Sequence, residues 1–192
     1  MSGRWRTVVC IASGPSLTAD DCERVRAWRE ATGPCSEERG VIVTNTTFRA
    51  APWADALFAM DRDWWAMHGN EVITGFAGAR FSINSIATKY NVKRLATGFK
   101  HYGNSGAAAI AMAASSGATR VVLLGFDCQH TGGKTHWHGS HPKGLGDAGS
   151  VGMWGKAFAD LAHDMRGRCE VLNASRATAL DCFERVNLED VL

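Results

Sequence analysis

Short apolar, β-branched runs alternate along the chain with longer stretches in which apolar residues recur at helical spacing. The runs at Thr7–Ala12, Val41–Thr44, Ala56–Met60, Glu71–Thr74, Val92–Ala96, Arg120–Leu124 and Cys169–Leu172 predict strands. Helical patterns cover about 18–31, 104–116 and 151–166, with a shorter helix over Arg62–Met67. Strands separated by helices predict an α/β, Rossmann-like fold, a mostly parallel sheet with helices on both faces, as one domain over residues 1–192. Such sheets bind ligands beyond the carboxyl ends of their strands, where the strand order reverses, so the chemistry is expected in the loops that follow strands.

The first of those loops lies in Val-Cys-Ile-Ala-Ser-Gly-Pro-Ser-Leu at 9–17, where a strand breaks into a small-residue turn and then opens a helix. Ser13, Gly14 and Ser16 read as a phosphate cradle. Gly14 lets backbone approach an anion, Pro15 fixes φ, and Ser16 supplies a hydroxyl ahead of Thr18, a helix N-cap with Asp21 three residues on. The spacing matches neither the dinucleotide fingerprint nor the P-loop, and an unliganded turn uses the same residues. Gly103-Asn104-Ser105-Gly106 opens a second, alanine-rich helix. It offers first-turn N–H groups to a phosphate or ribose, or is simply a capped, buried helix.

Asn45 and Asp61 follow the second and third strands and suit ribose or base, or capping of the next helix. Asn173 and Ser175 fall on the same rim near the end of the chain, beside Arg176, which either clamps a phosphate or pairs with a nearby acid. Of Trp53, Trp64, Trp65, Trp137 and Trp154, one is expected to stack on a ligand and the others to pack.

Residues 126–150 form the one long stretch without periodicity, rich in glycine and carrying His130, His136, His138 and His141. A loop of this length in a compact domain is usually functional, and it reads as a histidine-bearing lid. Histidine titrates nearest neutrality, so His141 is expected to act as general base toward an incoming hydroxyl. His136 or His138 would orient it or stabilise a leaving phosphate, and Asp127 would hold a ribose hydroxyl or a histidine. A zinc site drawn from Cys128 to His141 is the competing reading, but the spacing lacks the helical His-Glu-x-x-His pattern and no metal is expected.

The bulk numbers narrow the classes. The 192 residues are 45% hydrophobic and 21% charged, which is globular, and a net charge of +2 with no basic stripe does not announce a nucleic-acid binder. No apolar run reaches the roughly 18 residues that span a bilayer, and there is no signal-peptide core, so a cytoplasmic chain with no membrane partner is expected. Six scattered cysteines (Cys10, Cys22, Cys35, Cys128, Cys169, Cys182) without a C-x-x-C pair read as reduced, packed thiols. A homo-oligomer is compatible with all of this.

Taken in order, Ser13-Gly14-Pro15-Ser16-Leu17, Asn45, Asp61, Ser105-Gly106, Leu124-Gly125-Phe126-Asp127, Thr135-His136-Trp137, Gly139-Ser140-His141 and Asn173-Ala174-Ser175 run through most of the chain. In that collinearity the chain resembles small bacterial sialyltransferase-like glycosyltransferases and the related pterin-diphosphokinase-like and phage proteins that share a Gly-Pro-Ser-Leu opening. The resemblance implies a cleft for a nucleotide-activated sugar, no required cofactor, and direct displacement by an acceptor hydroxyl deprotonated by a histidine, at the position matched by His141. The family's lid tyrosines have no counterpart beyond Tyr90 and Tyr102, and the lid is shorter, which points away from sialic acid. The acceptor is open, with bases of phage DNA one candidate. The rival expectations are an Mg²⁺-dependent diphosphokinase using Asp61 or Asp127, and a non-catalytic nucleotide-binding module.

Overall fold

The computed structural model describes residues 5–33, 38–96, 99–141, 145 and 151–192. Among these residues eight strands form one all-parallel sheet: β1 (Thr7–Ile11), β2 (Arg39–Thr44), β3 (Ala56–Phe58), β4 (Ala79–Ser82), β5 (Lys93–Arg94), β6 (Arg120–Leu124), β7 (Glu170–Asn173) and β8 (Glu184–Arg185). Their order is β5-β4-β3-β2-β1-β6-β7-β8, so the order reverses between β1 and β6.

β1 sits at the centre, with Val9 opposite Val41 of β2 and Val122 of β6. Both of its faces are buried: Val8 and Cys10 enter one apolar cluster, Val9 and Ile11 the other. That double burial is why the central strands read as continuous apolar runs rather than alternating ones.

Helices cover both faces, as a parallel sheet requires. α1 (Ala19–Glu30) and α2 (Arg62–Gly75) bury Val25, Trp64, Trp65 and Val72 in the cluster of Val9. α4 (Ser105–Ser115) and α5 (Val151–Met165) bury Ile110, Met112, Phe158 and Leu161 in the cluster of Val8. α3 (Asn84–Tyr90) follows β4, and α6 (Leu188–Val191) closes the chain. The alanines of α4 let its backbone lie close against the sheet, and Ala107, Ala108 and Ala109 are wholly buried. The chain is an α/β, Rossmann-like domain. Among the described residues no helix is long and apolar enough to cross a membrane.

The architecture corrects the sequence reading in three places. Glu71–Thr74 is the last turn of α2, not a strand: Val72 is buried and Ile73 is 42% exposed, and Trp65, His68 and Val72 keep to one helical face. The strand expected at Val92–Ala96 shrinks to Lys93–Arg94, and the preceding strand lies instead at Ala79–Ser82. Asn173 belongs to the end of β7, not to the loop after it. The N-cap of α1 is as expected, with Thr18 and Asp21 forming a reciprocal capping box. Of the loop 126–150, residues 126–141 and 145 are described; Gly144 and Gly146 lie outside them, as does Cys35.

Candidate functional site

A cavity of about 550 Å³ opens at the carboxyl ends of β1 and β6, where the strand order reverses. Its walls come from loops distant in sequence: Ser13 and Gly14 after β1, Asn45 after β2, Asp61 before α2, Asn104–Gly106 at the start of α4, and His136 and His141 from the long loop. Trp64 and Trp154 also line it. Trp64 donates its indole N–H to Thr46 Oγ1 at 3.0 Å and is buried, whereas Trp154 on α5 is half-buried.

The Gly-Pro-Ser turn already holds an anion, and it is internal. Asp127, 1% exposed, accepts hydrogen bonds from the Ser16 backbone N–H (2.9 Å), the Ser16 hydroxyl (2.7 Å) and the Thr131 hydroxyl (3.0 Å). Gly14 N–H donates to Gly125 O at 2.8 Å, and a Cβ on Gly14 would collide with both Asp127 Oδ1 and Gly125 O. Gly14 therefore serves the approach of the β6 loop to the β1 turn, and Ser16 is directed to Asp127 and Ala177 N–H (3.3 Å) instead of lining the cavity. Burial raises the Asp127 carboxyl above its ordinary range, and the bonds from Ser16 and Thr131 offset that only in part.

Asn173 and Ser175 also turn inward. Asn173 Nδ2 donates to Thr178 Oγ1 (3.2 Å), its Oδ1 accepts from Ser175 N–H (3.1 Å), and Ser175 Oγ accepts from Phe126 N–H (2.8 Å). Both are buried and outside the cavity wall, where they fix the course of the β6 loop. Arg176 pairs with Asp21 through two bonds of 2.9 Å. Thr131 and Thr178 join this bracing network without having stood out in the sequence, because no local spacing marks a threonine whose partner is a distant loop.

The polar groups that do face the question of a ligand are Asn45 and Ser105. Asn45 Oδ1 and Ser105 Oγ are buried without a hydrogen-bond partner among the described residues, and both residues line the cavity. Asn45 also adopts a left-handed backbone (φ 49°), unusual for a residue other than glycine. Asn104 caps α4, its Oδ1 accepting from Gly106 N–H (2.8 Å) and Ala107 N–H (3.1 Å). Asp61 holds the N-cap position of α2 without a side-chain cap bond, which leaves its carboxylate on the cavity wall. Burial, then the charge of Asp63, raises its carboxyl above the ordinary range, an effect His141 offsets only in part.

The described part of the long loop reaches the cavity wall because it is tied to the β1 turn. Trp137 N–H donates to Ser13 O (3.1 Å), and Ser13 Oγ meets His136 Nδ1 at 3.2 Å. His136, His138 and His141 consequently form one cluster, with ring centroids 4.3 Å apart for His136 and His141 and 5.0 Å for His138 and His141. His130 is exposed and not part of this group, and Cys128 packs against the apolar cluster under α4 with its thiol pushed up to about 12 by burial.

No family model, curated protein or solved structure matches the chain. The fold and the site define its class: a doubly wound α/β domain with a polar crevice at the switch point and a histidine triplet over one side.

Proposed function

We propose that the chain is a transferase that takes a nucleotide-activated donor, most simply a nucleotide sugar, into the crevice between β1 and β6 and passes the activated group to an acceptor hydroxyl. One observation carries the reading: the switch-point cavity is walled by two buried polar atoms, Asn45 Oδ1 and Ser105 Oγ, that have no partner among the described residues. An unmatched buried polar group costs about 1–3 kcal/mol, so a wall that keeps two of them suits a polar ligand that completes their bonds. Asn45 then accepts from a ribose or base donor, Ser105 bonds the sugar or phosphate, and Trp154 stacks on the flat part of the ligand.

His141 takes the acceptor proton. It shares the cavity wall with Asp61, whose negative charge favours the imidazolium formed when the hydroxyl attacks and the nucleotide leaves. His136, oriented by Ser13, stands beside it. The Mg²⁺-dependent diphosphokinase reading fits less well, because of the three aspartates on the cavity wall, Asp61, Asp63 and Asp127, the last already accepts three hydrogen bonds within the fold. A cytoplasmic setting and a soluble or DNA acceptor belong to the same proposal.

The test is thermal-shift screening against nucleoside mono- and diphosphates and nucleotide sugars in the presence of a chelator. A binder at 100 times its Kd adds about 2.7 kcal/mol of apparent stability. His141→Ala should keep that shift and lose transfer to a hydroxyl acceptor. A chain that responds to no nucleotide at all overturns the reading.

A further inference from the structure

We propose that His136, His138 and His141 form a binding site for a first-row divalent ion of the zinc class at the rim of the crevice. The inference goes beyond the transferase reading and stands without it. One ligating atom from each of the three histidines lies within 4.8 Å of those of the other two, and among the described residues this is the group of metal-ligating side chains that converges. In a tetrahedral site with Zn–N bonds of about 2.0–2.1 Å, ligand nitrogens sit roughly 3.4 Å apart, so the three rings need close in by only about an ångström.

The local sequence explains the convergence. His136 and His138 are two apart within a turn and stack nearly parallel, at 12° with centroids 5.1 Å apart. Gly139, at φ +87°, closes this turn with its N–H on His136 O (3.1 Å), and His141, two residues on, meets both rings. Only glycine enters that backbone region without cost.

Three features favour an ion over a plain ring cluster. Protonating more than one of three imidazoles this close sets like charges against each other, whereas a shared cation lets all three stay neutral and offers each the same partner. Ser13 Oγ against His136 Nδ1 is the kind of outer contact that metal-bound histidines commonly have, and it helps fix the ring. The nearby carboxylate of Asp61, on the same cavity wall, supplies compensating negative charge. Three nitrogen ligands without a thiolate leave a fourth position open, the arrangement of an exchangeable rather than a closed structural site. Cys128 also lines the cavity but packs against the apolar cluster on the α4 side and is not in the converging group. A zinc ion and a proton compete for the same lone pair of His141, so a transferase that uses His141 as base should lose rate as zinc is loaded.

The experiment uses the full chain, stripped with a chelator, dialysed against Zn²⁺ and, separately, Co²⁺, with metal counted by elemental analysis. About one zinc per chain is expected, with Kd weakened about 100-fold in His136→Ala and His138→Gln and unchanged in Cys128→Ser. The cobalt form should show the visible bands of a low-coordinate nitrogen site without thiolate charge transfer. Circular dichroism and melting of each variant in chelator separate loss of metal from loss of fold. Failure to bind zinc in a folded chain overturns the proposal, as does zinc retained by both histidine variants or released by Cys128→Ser. Nucleotide shifts measured in chelator are independent of every one of these outcomes.

Discussion

Replacing Asp127 by alanine removes the acceptor that holds the β6 loop to the Gly-Pro-Ser turn. Three hydrogen bonds go, from Ser16 N–H, Ser16 Oγ and Thr131 Oγ1, at 2.9, 2.7 and 3.0 Å. Bonds to an ionised group contribute about 1.5–3 kcal/mol each, but the carboxylate itself is costly to bury, as its raised pKa records. Ser16 Oγ keeps its bond from Ala177 N–H, while the Ser16 N–H loses its acceptor. The net expectation is a loss of about 3 kcal/mol, or roughly 6–12 °C in melting temperature for a domain of this size. Urea unfolding followed by tryptophan fluorescence and circular dichroism measures it. Run as a cycle with Ser16→Ala, it should give a coupling energy of about 1.5–2 kcal/mol, because the two residues share one charge-assisted bond. A loss under about 1 kcal/mol, or strict additivity, refutes the claim that this internal carboxylate occupies the turn. The pH dependence has a definite sign. A carboxyl whose folded pKa is raised stabilises fully below its unfolded value near 3.9, and that contribution is lost as pH rises through the folded value, so Asp127→Asn should flatten this part of the profile.

Gly14→Ala drives a methyl into Asp127 Oδ1 and Gly125 O, and about 2–4 kcal/mol of destabilisation is expected by urea unfolding; a neutral result would show that the β6 loop yields freely. Arg176→Ala should cost about 1 kcal/mol at neutral pH, since the arginine is largely exposed although Asp21 is buried. Burial raises the Asp21 carboxyl, but bonds from Arg176 and Thr18 overcome that and hold it below its usual range. The pair's contribution is therefore present above about pH 4 and fades as pH falls through the folded value, and acid titration of the variant should lack that fall. Ser105→Ala removes a buried hydroxyl with no partner among the described residues while Asn104 still caps α4; unliganded stability should hold or rise by about 0.5–1 kcal/mol while nucleotide affinity drops about tenfold, and a large loss of unliganded stability would sink it.

What could be read in advance follows from how far each signal reaches along the chain. Val8 to Ile11, Val41 to Val43 and Val121 to Leu124 announce buried parallel strands because each strand is apolar on both faces, a local property. The crevice then follows from topology, since loops after strands collect at one edge, and Asn45, Asp61 and Asn104–Gly106 do lie there. Glu71–Thr74 misled because a four-residue run carries no period, and only the preceding Trp65 and His68 reveal that it continues a helix. The assignment of donors to partners is a different kind of information. Ser16 looks like a phosphate ligand until Asp127, 111 residues away, is seen to accept from it, and Ser175 looks like a rim residue until the Phe126 N–H is seen to need it.

The histidines combine both cases. Their spacing is visible in the chain, yet it resembles no helical ligand pattern, because the ring geometry is made by a glycine turn at Gly139 and by a tether from Ser13 across 123 residues. A polar residue in a post-strand loop thus has two fates, to brace a neighbouring loop or to meet a ligand. Here the loops nearest the β1 and β6 axis brace each other through Ser16, Asp127, Asn173 and Ser175. The ligand-facing duty moves outward, to Asn45 and Ser105 and to the histidines folded over them. Bracing is what makes the outer positions usable: a crevice wall can hold two unmatched polar atoms in place only where the backbone behind it is fixed by bonds of its own.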